Sequence, residues 1–264
     1  MKAMMEALRD SLENFNNPIS VSGVSNWARE VFKRCKKTRS KKITYMEVPA
    51  SFDIEASSFY DENGRKAATM YVWAFGLYGR VIIGRTWEEF VKTCETISLE
   101  MQLSGEQRLV VYVHNMDYDF QFFRKWLSWE KVFSLDERKP VYAISNLGIE
   151  FRCSYKLSGY SLEAVGKNLK HIHVKKLAGD LDYSIPRHSK TPLTEKELQY
   201  VINDAKVVMA YIAECMLDEG TIIKIPLTKT GYVRRFVRNR CFRKHERIER
   251  RISELHKGLA TCTG

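Results

Sequence analysis

Apolar positions along the chain follow two rhythms, one of strands and one of helices. Between Tyr45 and Gly84, YMEVPASFDIEAS, ATMYVWAFGLY and RVIIG are rich in β-branched and aromatic residues, and the turn signal Asn63-Gly64 interrupts them. They predict a three-stranded meander. Thr86 then opens a helix, with acidic residues in its first turn and Glu89 three positions on completing a capping box. RLVVYVHN (108–115) is a continuous apolar run, the pattern of a strand covered on both faces. DYDFQFFRKWLSW (117–129) reads as a helix, followed by strands around Val141–Ile144 and Ile149–Lys156. Ser161 heads a short helix, SLEAVGKNL, and Thr194 a long one that Gly220 closes. Ahead of the meander, Met4–Phe15 and Ser25–Lys37 have helical spacing, the second closing in KRCKKTRSKK. A meander, β–α units and a late helix make a mixed α/β fold.

Composition narrows the class. The chain has 264 residues, 44% of them hydrophobic, enough for one large domain or two small ones. No stretch approaches the roughly 20 uninterrupted apolar residues of a membrane span, so no membrane partner is expected. The opening MKAMMEALRDSLENF carries charges where a secretory segment is apolar, and no signal peptide is expected. Six scattered cysteines without a CxxC pair point to a reduced, cytoplasmic protein.

Charge is unevenly placed within the net +11. Residues 1–50 hold ten basic and five acidic residues and 221–264 hold twelve and three, which leaves the stretch between them at −3. That pattern fits a polyanion held beside an acidic site, and also a soluble domain with solvated basic ends. It suggests three parts: a basic accessory segment at 1–49, the α/β body at 50–225 and a basic helical segment at 226–264. The last of these, KTGYVRRFVRNRCFRKHERIERRISELHK, is helical in pattern and very basic, which suits contact with a phosphate backbone better than with a membrane surface. Two weaker signals are set aside. GRVIIGRT (79–86) has a bulky β-branched interior that cannot wrap a phosphate as a P-loop does. HIHVKK (171–176) puts His171 and His173 on one strand face without a third metal ligand.

Four acidic residues sit where local structure would present them to one point. Asp53 and Glu55 are two apart on a strand and leave the same face. Asp119 follows a buried strand at a strand-to-helix junction, a usual place for functional residues in open α/β sheets. Asp204 lies midway along the long helix, with Tyr200 one turn earlier on the same side. Carboxylates so gathered suit hard divalent cations, which prefer oxygen ligands. Taken singly, each has a bland reading: a DxE in a strand is common, a helical Asp is usually solvated, and HNMDYD can be a loop with an Asx turn.

FDIEAS (52–57), HNMDYDFQF (114–122) and YVIND (200–204) resemble, in order and spacing, the DxE, N-x-x-[FY]-D and Y-x-x-x-D exonuclease motifs of family B DNA polymerases, in their protein-primed phage form. LAGDLDY before the last motif and YSLEAV at 160–165 add to the resemblance, which spans roughly residues 50–225. It implies a ribonuclease-H-like fold and a metal-dependent 3′→5′ proofreading exonuclease. Asp53, Glu55, Asp119 and Asp204 would bind two divalent ions, Mg²⁺ or Mn²⁺. Tyr200 would orient the attacking water or the scissile phosphate. Asn115, Tyr118, Phe122, Ser161 and Leu162 would hold the single-stranded 3′ end of DNA, with Tyr183 near the scissile phosphate. A terminal protein primer and a polymerase domain are the further partners it implies.

Two departures stand out. Close relatives have a lysine before GD where this chain has Ala178, with Lys175 and Lys176 nearby, and Ala56 follows the DxE motif in place of a hydroxyl residue. Neither of the family's polymerisation strings, DxxSLYP and YxDTDS, occurs in the chain, so no polymerisation is expected of it. Another nuclease of the same fold and a non-catalytic DNA- or terminal-protein-binding module are the competing readings.

Overall fold

The computed structural model describes residues 2–14, 17–60, 62–174, 177 and 185–242. Helices α1 (Lys2–Asn14) and α2 (Val24–Arg34) lead into a hairpin of β1 (Lys37–Ser40) and β2 (Ile43–Met46). The meander follows as β3 (Ala50–Tyr60), β4 (Lys66–Leu77) and β5 (Arg80–Gly84). Then come α3 (Trp87–Glu100), β6 (Gln107–Val113), α4 (Met116–Phe123), β7 (Trp129–Ser134), β8 (Pro140–Ser145) and β9 (Ile149–Cys153). Short helices α5 (Ser154–Ser158) and α6 (Leu162–Lys167) precede the long α7 (Glu195–Glu219) and the basic α8 (Lys229–Val237).

The strands form one mixed sheet in the order β5-β4-β3-β6-β9-β8-β7. β3, β4 and β5 pair antiparallel, while β6 runs parallel to both β3 and β9. A meander whose first strand is continued by two parallel strands, with helices on both faces, is the expected ribonuclease-H-like arrangement. Alternation along the strands divides the core into two layers. Phe52, Ile54, Trp73, Val111 and Phe151 meet α2, α3 and α4 on one face. Val72, Ala74, Val110 and Tyr112 meet α1, α6 and α7 on the other.

The segment before residue 50 packs on this body. Val24, Ala28 and Val31 of α2 are fully buried in the first layer, Leu8 and Leu12 of α1 in the second. β2 pairs parallel with β6 at Thr44–Gln107 and Tyr45–Arg108, so the boundary expected at residue 49 falls between two strands that share β6 as a neighbour.

Helix ends follow the sequence closely. Thr86 and Thr194 both make reciprocal capping boxes, with Glu89 and Glu197, and Gly220 closes α7 at φ 78°. Elsewhere the expectations need correction. The helix read through Trp129 stops at Phe123, because Trp129–Ser134 pairs with β8 as an edge strand. The helix expected to reach Lys37 ends at Arg34, inside KRCKKTRSKK, and the rest of that run forms β1 and the turn into β2. The strand expected to reach Lys156 ends at Cys153, where α5 begins, and residues 171–174 form no strand. Among the described residues no helix is long and apolar enough to cross a membrane.

One close approach sets α7 on the sheet. Any Cβ at Gly76 would collide with Ser51 Oγ and lie 2.7 Å from Met209 Cε. Gly76→Val is therefore expected to lower stability by about 1–3 kcal/mol through overpacking, measured by urea unfolding; an unchanged midpoint would contradict this seating of the helix.

Candidate metal centre

Phe52 and Ile54 of β3 point into the layer with α2, α3 and α4. By alternation Asp53 and Glu55 leave the opposite face, beneath α7. Ser51, on that same face, donates its hydroxyl hydrogen to the Ala205 carbonyl at 2.8 Å. This buried bond ties the middle of α7 to β3 one residue from Asp204, itself buried. As a result, Asp53, Glu55 and Asp204 offer carboxylate oxygens that all lie within 4.8 Å of one another. At such separations two like charges repel by about 3–4 kcal/mol for an effective dielectric of about 20.

Asp119 stands outside this triad but feels it. It lies in the first turn of α4, at the C-terminal end of β6, and only 4% of its surface is exposed. Burial first, then the charges of Asp53 and Glu55, push its pKa well above the usual carboxylate range. Its Oδ2 is buried and has no hydrogen-bond partner. An orphaned carboxylate oxygen beside three clustered carboxylates, all oxygen donors, fits hard divalent cations, which would satisfy that oxygen and cancel the repulsion. Among the described residues this triad is the one group of three or more His, Cys, Asp or Glu side chains spaced to hold a metal ion.

The residues expected to hold DNA divide into two sets. Asn115 sits at the head of α4 with φ 66°, a left-handed conformation that Asn tolerates, and its side chain does not cap the helix. Tyr118 is 45% exposed, close enough to Asp119 and Glu55 for their charges to raise its pKa along with burial. Its ring lies 5.1 Å from that of Phe122, so the two make an aromatic shelf beside the carboxylates. Tyr200 is buried one turn before Asp204. Ser161 and Leu162 are placed differently. The Ser161 hydroxyl caps α6 by accepting from Ala164 N at 3.3 Å, and Leu162 is buried in the layer with Val165 and Val201. No described hydrogen bond or ring contact ties either to the carboxylates. Tyr183, Lys175, Lys176 and Ala178 lie outside the described residues.

The structure also brings in residues that the motifs did not single out. His114 Nδ1 is 3.1 Å from the buried Ser154 hydroxyl, and its ring meets the half-exposed Tyr155 edge-on. Lys156 pairs with Asp117 on the first turn of α4. His114 directly precedes Asn115, which is a usable signal; Ser154 and Lys156 sit forty residues away and reach the site only because β6 and β9 are neighbours.

No family model matches the chain, and no curated protein matches it in sequence. Solved structures do match in fold. Phi29 DNA polymerase with primer-template DNA and incoming nucleotides gives a TM-score of 0.52 at 15% identity, covering 66% of this chain and 31% of the polymerase. The orthorhombic crystal form of the same polymerase gives 0.52 at 16% identity, over 69% of this chain and 32% of the polymerase. The likeness is one of fold. The chain spans about a third of the polymerase it matches.

The raised pKa of Asp119 has a consequence for stability. A carboxyl group that binds its proton more tightly when folded stabilises the protein at low pH, and this contribution is lost as pH rises through the raised folded pKa. The metal-free protein should therefore lose stability upward from about pH 4, the ordinary Asp value. Asp119→Asn should remove that loss and stabilise the metal-free protein at neutral pH, while shrinking the rise in melting temperature produced by added Mn²⁺. Melting curves in EDTA and in Mn²⁺ across pH check both; an Asn variant less stable than the parent at pH 7 in EDTA would contradict the assignment.

Proposed function

We propose that the chain is the 3′→5′ proofreading exonuclease part of a protein-primed family B DNA polymerase, acting on single-stranded 3′ DNA ends during phage or plasmid replication. The observation that carries this reading is the convergence of Asp53, Glu55 and Asp204 within 4.8 Å, with the charges of Asp53 and Glu55 acting on the buried Asp119. The fold shared with phi29 DNA polymerase supports it. Residues 50–225 act as the exonuclease domain, 1–49 as its accessory segment, and 226–264 lead toward a polymerase domain.

The four carboxylates hold two Mg²⁺ or Mn²⁺ ions. Bound there, such ions supply an activated water and stabilise the leaving 3′ oxygen in an in-line displacement. The chain's own groups do the rest. Tyr118 and Phe122 stack the terminal bases, a contact that ignores sequence and contributes about 1–3 kcal/mol per base. Asn115 hydrogen-bonds the terminal nucleotide, Ser161 and Leu162 contact the same DNA strand, and Tyr183 serves the scissile phosphate. Tyr200 places its hydroxyl on the water or the scissile phosphate from the turn before Asp204. The basic flanks draw the phosphate chain toward a site that would otherwise repel it. A mispaired end needs less energy to unpair, so it enters the site more often than a paired one.

The test compares single-stranded DNA, RNA of the same sequence, and primer–template duplexes with paired or mispaired 3′ ends, in Mg²⁺. Single-stranded DNA should be degraded fastest, and the mispaired primer about tenfold or more faster than the paired one. Tyr200→Phe should lower kcat by about 100-fold with little change in KM. RNA degraded as fast as DNA would favour another nuclease of this fold. Tight, salt-sensitive DNA binding with no cleavage in either metal would favour the binding module.

A further inference from the structure

The β3–β4 ladder slips beside the carboxylates. Glu55 pairs with Val72 and Ala56 with Met70, which leaves Tyr71 as the extra residue of a β-bulge opposite Glu55. Its carbonyl is taken by Arg85, whose Nε donates at 2.6 Å. The same guanidinium donates through Nη2 to the carbonyls of His188 and Thr191, at 3.2 and 2.5 Å. Arg85 therefore ties the bulge to the segment that enters α7. A second clamp lies alongside. Ser57, two residues beyond Glu55, donates to the Ile185 carbonyl at 3.2 Å and accepts from Arg187 N at 3.0 Å. The Arg187 guanidinium lies over the Tyr71 ring, and its Nε meets Glu197 Oε1 at 2.5 Å. The other oxygen of Glu197 accepts from the backbone N–H and the hydroxyl of Thr194, in the capping box that starts α7. The Arg187 and Glu197 side chains are 11% and 6% exposed, so water competes little for this bond.

The second clamp connects the strand that carries Glu55 to the first turn of the helix that carries Tyr200 and Asp204, and the first ties the bulge opposite Glu55 to the segment that leads into that helix. We propose that Arg85 and Arg187 are positioning residues that set the spacing between Glu55 and Asp204, and through it the affinity of the site for divalent cations. The proposal rests on the reading of the carboxylates as a metal centre. The GRVIIGRT stretch thereby acquires a role unrelated to phosphate binding: its second arginine, Arg85, holds the bulge, not a nucleotide.

The sign of the effect separates positioning from charge. If these arginines acted only as nearby cations, removing one would tighten cation binding. If they position the carboxylates, removing one loosens it. Mn²⁺ titrated calorimetrically into the full chain should bind about tenfold more weakly to Arg187→Gln and to Arg85→Gln. Arg187→Lys, which can restore one ion pair, should recover part of the loss. The KM for a single-stranded oligonucleotide should stay near the parent value while kcat falls. Ser57→Ala, a milder change, should show the same direction in a protein that keeps its melting temperature in EDTA. Parent-like or tighter Mn²⁺ binding in the folded variants overturns the positioning role. Failure of the parent chain itself to bind Mn²⁺ overturns instead the metal reading beneath it.

Discussion

Mutual repulsion among carboxylates under a buried helix is the constraint around which this chain is built. Asp53, Glu55 and Asp204 would separate if strand and helix were free to move, and Asp119 would turn toward water if α4 allowed it. Each is held by something specific. Ser51 bonds the backbone of α7 beside Asp204, Gly76 lets Met209 sit close to the sheet, and Phe120 and Phe123 anchor α4 in the opposite layer. The capping box at Thr194 fixes where α7 starts. A buried hydrogen bond such as Ser51–Ala205 contributes only about 1 kcal/mol net, so no single contact outweighs the repulsion. Packing of α7 on the sheet has to oppose it, and a cation held by the triad would cancel it.

The two layers divide the labour. On the α2–α3–α4 side the contacts are aromatic and dry, with Phe52 touching Phe90, Phe123 and Phe151 by their rings. That face packs β3 up to the point where its ladder with β4 slips, after Glu55. On the α7 side, by contrast, the same strand presents Ser51, Asp53, Glu55 and Ser57 in succession, four polar groups committed to helix, cluster and loop. Alternation along one strand thus places a rigid support directly behind the chemistry.

Much of this is legible in the amino-acid sequence alone. The meander, the buried β6, the Thr86 capping box and the Thr194 cap follow from local rules, because strand periodicity and cap chemistry depend on residues a few positions apart. The DxE pair and the Asp204 turn are legible for the same reason. What is not legible depends on distant partners. β1 and β7 are exposed, charged strands whose pairing rests on β2 and β8 rather than on their own pattern, so the first reads as the end of a helix and the second, past Trp129, as no element. His114–Ser154 and the Arg85 and Arg187 clamps join residues up to 130 positions apart. Ser161 carries both readings at once: its hydroxyl caps α6 as the sequence suggests, and that use leaves the DNA contact implied by its motif open.

The central claim is that these carboxylates form a two-cation centre, and counting ions tests it most directly. Electron paramagnetic resonance of free Mn²⁺, titrated against the full chain, should show two ions bound per chain at saturation. Asp53→Ala/Glu55→Ala should bind neither with comparable affinity. Equal binding by the parent and the double variant, or none by the parent, would contradict the account.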